Sequence, residues 1–138
     1  MCGIIGAQGI SRDALEESLS LFSYRGPDAQ SFWSDSSLAL GHARLSIIDL
    51  DTRSNQPLWN PAKTACIVFN GEIYNYREIR AQLASEGVVF ATESDTEVLL
   101  EAYLRWGTAA LPKLRGMFAF AIYRPQAQEL FLARDHAG

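Results

Sequence analysis

The sequence is short of several things, and each shortage removes a class of function. It has only two cysteines, Cys2 and Cys66, at no metal-ligand spacing and outside any secreted-type framework, so both are expected as free thiols. It has no excess of positive charge. Lys+Arg total 12 against Asp+Glu 16, a formal net charge of -4, which leaves no broad basic face for phosphate backbones and argues against nucleic-acid binding. It has no long apolar run: the longest, Met117 to Tyr123, falls far short of the roughly 20 residues a helix needs to cross a bilayer, so no membrane-spanning segment is expected. The N-terminus has no basic n-region, and Gly6 and Gln8 soon interrupt its apolar stretch, so no signal peptide is expected and the expected compartment is the cytoplasm. No internal repeat, low-complexity stretch or linker divides the 138 residues, and a hydrophobic content of 48% suffices for one packed core, hence one domain.

What is present reads as alternating strands and helices. The small and branched residues from Cys2 to Gln8 suit a buried strand at the very start of the chain. Ser11 ahead of Asp13, Glu16 and Glu17, with Leu15, Leu19 and Phe22 at helical spacing, predicts a capped amphipathic helix that stops near Arg25-Gly26-Pro27-Asp28. Leu38 to Leu50 predicts a strand followed by an irregular extended segment, and Asn55-Gln56-Pro57 a turn. Ala65 to Phe69 predicts a fully buried strand ending at Asn70-Gly71. Two helices follow, one opened by a capping-box-like Asn75 and Glu78 and buried through Ile79 and Leu83, the other capped by Ser94 and Glu97 and closed at Gly107. The segments Met117 to Ile122 and Glu129 to Ala133, joined by a turn at Arg124 to Ala127, predict a hairpin with both faces buried. This order suits an α+β layered protein.

Four positions carry chemistry. Removing Met1 would leave on Cys2 both a free α-amine and a thiol, and near neutrality an unprotonated amine can take a thiol proton, which is the logic of an N-terminal nucleophile. Read alone, Cys2 better suits a small buried hydrophobe. Asn70 offers a side-chain amide beside the sterically open N–H of Gly71, two donors of the kind an oxyanion needs, although Asn-Gly is also an ordinary turn. Arg44 could fork a carboxylate and Asp95, at a helix start, could meet an ammonium, while each singly also suits an ion pair or a cap. Together the four supply what a free α-amino acid substrate requires.

In order along the chain, Met1-Cys2-Gly3-Ile4-Ile5-Gly6, Arg25-Gly26-Pro27-Asp28, Gly41-His42-Ala43-Arg44-Leu45-Ser46-Ile47-Ile48-Asp49, Gln56-Pro57-Leu58, Asn70-Gly71-Glu72-Ile73-Tyr74-Asn75, Ser94-Asp95-Thr96-Glu97 and Arg115-Gly116-Met117-Phe118-Ala119-Phe120-Ala121 resemble the class II glutamine amidotransferase domain of glutamine-hydrolysing asparagine synthetases. The resemblance covers essentially the whole chain, residues 1–138. Arg25-Gly26-Pro27-Asp28 and Arg44 to Asp49 resemble the asparagine-synthetase branch rather than the purine-amidotransferase or hexosamine-synthase branches. It implies an αββα sandwich of two antiparallel sheets between helical layers, the N-terminal-nucleophile hydrolase fold, with Cys2 at the end of an inner strand. It further implies that Cys2 attacks the side-chain carbonyl of glutamine and that Asn70 and Gly71 stabilise the oxyanion. A γ-glutamyl thioester and ammonia result, and water then yields glutamate. By the same resemblance Arg44 holds the substrate carboxylate, Glu72 and Asp95 lie near its ammonium, and Leu45, Ser46, Ile47 and Ile48 form the pocket wall.

The family continues past Arg134-Asp135-His136-Ala137-Gly138 into further strands and a synthetase domain, so the expectation is of a domain truncated at its C-terminus. No Ser-Gly-Gly-x-Asp-Ser loop is present. ATP and Mg would accordingly belong to the absent synthetase domain, and this chain is expected to need no cofactor or metal. The expected partners are glutamine and a synthetase domain or chain that receives ammonia. Two other readings stay open: a catalytically silent domain that only binds glutamine or a partner, and an amidotransferase domain serving an acceptor other than aspartate.

Overall fold

The computed structural model describes residues 2–137, so the expected removal of Met1 lies outside the described residues. The chain opens with strand β1 (Gly3–Ala7) and helix α1 (Arg12–Ser20). Ser11 caps α1 by accepting the Ala14 N–H at 3.2 Å, and Leu15 and Leu19 bury its apolar face. Strands β2 (Ala29–Ser34) and β3 (Ala39–Arg44) follow, then the two-residue β4 (Leu58–Trp59) and β5 (Cys66–Ile73). Helices α2 (Tyr76–Ser85) and α3 (Asp95–Trp106) precede the hairpin of β6 (Gly116–Arg124) and β7 (Glu129–Arg134).

The strands form two antiparallel sheets, a three-stranded one in the order β1-β3-β2 and a four-stranded one in the order β4-β5-β6-β7. Strand alternation assigns the layers. On β5, Ile67, Phe69 and Ile73 pack with Phe120 and Ile122 against Ile79, Leu83, Leu99 and Leu100 of the helices. Cys66 and Val68, on the opposite face, meet Leu38, Leu40, Ala121 and Tyr123 between the sheets. Leu15 and Leu19 of α1 cover the outer face of the first sheet at Ala39. The result is the expected sandwich of α1, two sheets, and the α2–α3 pair.

Four local readings are corrected. The strand through Cys66 does not stop at Asn70-Gly71: it stays paired with β6 to Ile73, because Gly71 opposite Phe118 fits the ladder without a side chain. Strand β2 was not foreseen; its aromatic pair Phe32-Trp33 sits among polar residues and lacks a clean alternation. Asn75 makes no side-chain cap; its amide instead accepts the Arg115 N–H at 2.9 Å and donates to the Lys113 carbonyl at 2.9 Å. The hairpin is not buried on both faces. The three-stranded sheet does not reach over β7, which leaves Leu130 and Leu132 38% and 65% exposed.

Candidate active site

One cleft of about 110 Å³ is lined by Cys2, Arg44, Leu45, Ile47, Ile48, Asn70, Gly71, Glu72 and Asp95. The structure therefore gathers every residue singled out from the sequence except Ser46, whose N–H is turned to the Asp28 carboxylate at 2.7 Å. Gln56, Thr96 and Met117 also line it, and sequence reasoning did not place them there.

The start of β1 is held by the Arg25-Gly26-Pro27-Asp28 turn. Arg25 Nε donates to the Cys2 carbonyl at 3.2 Å, and the Asp28 N–H donates to the Arg44 carbonyl at 3.0 Å. Between them Gly26 lies against the β3 backbone, where a Cβ would fall 2.2 Å from the Ala43 carbonyl carbon, so only glycine lets the turn sit this close. The Cys2 thiol is thereby brought to the exit of β3, where Sγ accepts the Leu45 N–H at 3.3 Å.

The cleft's second wall is the free edge of β5. In an antiparallel strand successive N–H groups point to opposite sides, so those of residues 69, 71 and 73 share one direction. The Phe69 N–H meets Gln56 Oε1 at 2.5 Å and the Ile73 N–H meets Asp95 Oδ2 at 3.0 Å, both on the side away from β6. By that alternation the Gly71 N–H between them faces the same side, and Gly71 itself lines the cleft. Gly71 adopts φ +144°, and a Cβ there would lie 2.0 Å from the Met117 carbonyl oxygen, so the position excludes other residues. Asn70 lines the cleft beside it; its Oδ1 is buried and has no partner among the described residues, so no hydrogen bond opposes turning Nδ2 toward a substrate.

Charge is divided within the cleft. Arg44 is buried, its guanidinium donating to the carbonyls of Asp49 and Asp51 and to Asn55 Oδ1; three of its five donors are engaged and Nε is not among them. Asp95 is buried too. Burial pushes its carboxyl above the usual range, the hydrogen bond from the Ile73 N–H opposes this, and the neighbouring Glu72 carboxylate adds to the rise. A cation bound between Asp95 and Glu72 would reverse that effect. The wall from Leu45 to Ile48 ends at Asp49, whose carboxylate accepts from Ser54 Oγ at 2.7 Å and the Glu93 N–H at 2.9 Å.

Two buried titratable groups, Cys66 and His42, lie outside the cleft lining. Cys66 is fully buried between the sheets, and burial pushes its thiol up to about 12. His42, on the inner face of β3, is driven down to about 4 by burial, with the Arg44 charge adding to the effect and the Phe69 carbonyl opposing it. Neither ring nitrogen makes a well-formed hydrogen bond among the described residues.

A thiol, adjacent backbone and amide donors, a guanidinium and a pair of carboxylates in one cleft can bind a small zwitterion and attack its carbonyl. Comparison with known proteins agrees. The family model of a glutamine amidotransferase domain matches residues 1–138. A glutamine-hydrolysing asparagine synthetase 1 of Bacillus subtilis (strain 168) is 42% identical over 146 residues, covering 100% of this chain and 23% of the relative. Asparagine synthetase B, glutamine-hydrolysing, of Escherichia coli (strain K12) is 40% identical over 144 residues, covering 100% of this chain and 26% of the relative. The chain thus spans about a quarter of the length of the curated relatives it matches. The solved structure of glutamine phosphoribosylpyrophosphate amidotransferase from B. subtilis, complexed with ADP and GMP, matches with a TM-score of 0.60 at 28% identity, over 73% of this chain and 24% of that one.

Proposed function

The chain belongs to the family of glutamine amidotransferase domains, with the N-terminal-nucleophile fold, and from that premise we propose that it carries the glutaminase half-reaction of an asparagine-synthetase-type amidotransferase. The Cys2 thiol gives its proton to the α-amine freed by loss of Met1, and the sulfur bonds to the side-chain carbonyl carbon of glutamine. The oxygen takes the displaced electron pair and is met by the Gly71 N–H and the Asn70 amide. Collapse of this adduct breaks the C–N bond, the amine proton passes to the leaving nitrogen, and ammonia departs. Water then attacks the thioester, sulfur leaves, and glutamate is released. Arg44 binds the substrate carboxylate, Asp95 and Glu72 its ammonium, and Leu45 to Ile48 enclose its side chain, with the Ser46 backbone fixing that wall through Asp28.

The observation that carries this reading is that Asn70 and Gly71, between two β5 N–H groups held by side chains, line the same cleft as Cys2. These steps use groups of this chain and no cofactor. Because the relatives are about four times longer, the ammonia acceptor is assigned to a synthetase domain or chain, which would also hold ATP and Mg. No helix among the described residues is long and apolar enough to cross a membrane. Two free thiols suit a reducing compartment such as the cytoplasm.

The test is release of glutamate from glutamine by purified chain with an intact mass showing Met1 removed, and its loss in Cys2→Ala. Folded, processed protein without thiol-dependent turnover would refute the reading and leave a silent binding domain.

A further inference from the structure

The segment Asn55-Gln56-Pro57 reads as a turn, yet Gln56 is buried and touches the cleft. Strand β4 pairs Leu58 with Ile67 and Trp59 with Cys66; continued two steps past Leu58, that register sets Gln56 opposite Phe69. The backbone leaves the ladder there, and the side chain takes its place. Gln56 Oε1 accepts the Phe69 N–H at 2.5 Å, and Nε2 donates to Thr96 Oγ1 at 3.2 Å. The Gln56 carbonyl in turn accepts from Ser31 Oγ on β2. One residue thus ties the first sheet, the edge of β5 and the first turn of α3 together.

We propose that Gln56 is a positioning residue for the oxyanion donors, setting the direction of the Gly71 N–H and the Asn70 side chain by fixing Phe69 against α3. The proposal rests on the glutaminase reading. Its logic is geometric: the catalytic segment is anchored on its cleft side at Phe69 by Gln56 and at Ile73 by Asp95, and Asn70 and Gly71 lie between these anchors. An oxyanion donor acts only near its optimal distance, and misplacement by about 1 Å can lower turnover by about 10²-fold. If Gln56 merely satisfies a buried N–H, its loss would lower stability and touch all functions of the cleft alike.

The experiment replaces Gln56→Leu and Gln56→Glu in the Met1-processed chain. Gln56→Leu should lower kcat for glutamine by on the order of 10²-fold, while glutamine Kd on a Cys2→Ala background stays within about twofold. Alkylation of Cys2 by iodoacetamide, a displacement that forms no oxyanion, should keep its rate. Gln56→Glu retains an acceptor for the Phe69 N–H and should recover most of kcat. On an Asn70→Ala background the Leu substitution should matter less, because the two act through one site. Amide hydrogen exchange at Gly71 should quicken in Gln56→Leu whether or not the chain turns over. Wild-type kcat in Gln56→Leu, or equal losses in kcat, Kd and alkylation rate, would overturn the proposal. If Gln56→Leu does not fold, Thr96→Val, which releases only the α3 end of the link, carries the test: unchanged kcat and unchanged Gly71 exchange would overturn it. A wild-type chain inactive on glutamine would instead overturn the glutaminase reading, while the exchange data would still report whether Gln56 fixes the β5 edge.

Discussion

Acidification below neutrality should destabilise this protein through His42. The imidazole lies on β3 between the sheets, 1% exposed, and burial beside Arg44 lowers it from 6.5 to about 4. An unfolded chain binds a proton there near 6.5 and the folded chain does not, so between these values the unfolded state carries more protons and stability rises with pH. The contribution is complete above about 6.5, is lost as pH falls toward about 4, and changes no further below that. The span corresponds to about 3 kcal/mol in all, of which about 2 kcal/mol goes between pH of about 7 and about 5. Asp95 and Glu101, both raised by burial, act with the opposite sign, since protonating them favours the fold. The comparison is therefore between wild type and His42→Leu, each unfolded in urea at pH of about 7, 6 and 5. The variant starts less stable, but its curve should fall less on acidification, by about 2 kcal/mol or a melting-temperature difference on the order of 5–10 °C. Parallel curves for the two proteins would refute the argument that His42 is buried neutral.

Other outcomes follow from the cleft. Asn70→Ala should reduce kcat by on the order of 10²–10³-fold, with glutamine Kd on a Cys2→Ala background retained; a normal kcat with a lowered melting temperature would leave Asn70 only a structural role in β5. Arg44→Lys should raise KM and also lower stability by about 1–3 kcal/mol, because an ammonium cannot serve Asp49, Asp51, Asn55 and a carboxylate fork at once; an unchanged KM in glutamine titration would remove Arg44 from the site. A glutamine-like diazoketone should label Cys2 and spare Cys66, read by peptide mass, since the Cys66 thiol is buried and pushed up to about 12; equal labelling of folded protein would defeat the assignment.

The parts of this structure legible in the sequence are those set by local pattern. Leu15 and Leu19 after Ser11, or Val98 to Tyr103 after Ser94, specify both a helix and its buried face within a few residues. The chemical residues were legible because their types complement one substrate and because they recur in the order of a known domain. Features that depend on a partner distant in sequence were not legible. Phe32 and Trp33 make a strand only because Gly41 and Leu40 stand opposite. Asn75 gives up its cap because Arg115 and Lys113 arrive beside it. Gln56 looked like a turn residue because its two hydrogen bonds reach residues 13 and 40 positions away.

The β5 edge joins two requirements that usually conflict. A backbone donor for an oxyanion must be rigid, and strands gain rigidity by spending their N–H groups on neighbours. Here rigidity comes from one side, where β5 is paired with β6 from Cys66 to Ile73, while β4 ends after two residues and leaves the other side uncovered. An uncovered strand edge invites pairing with another chain. Gln56 and Asp95 remove that hazard by taking the N–H groups of Phe69 and Ile73, so an incoming strand would find alternate ladder positions already filled. By the strand's alternation the Gly71 N–H between them faces the cleft that holds Cys2. On the proposed reading, the two side chains that fill these ladder positions are also the ones that hold the oxyanion donor in place.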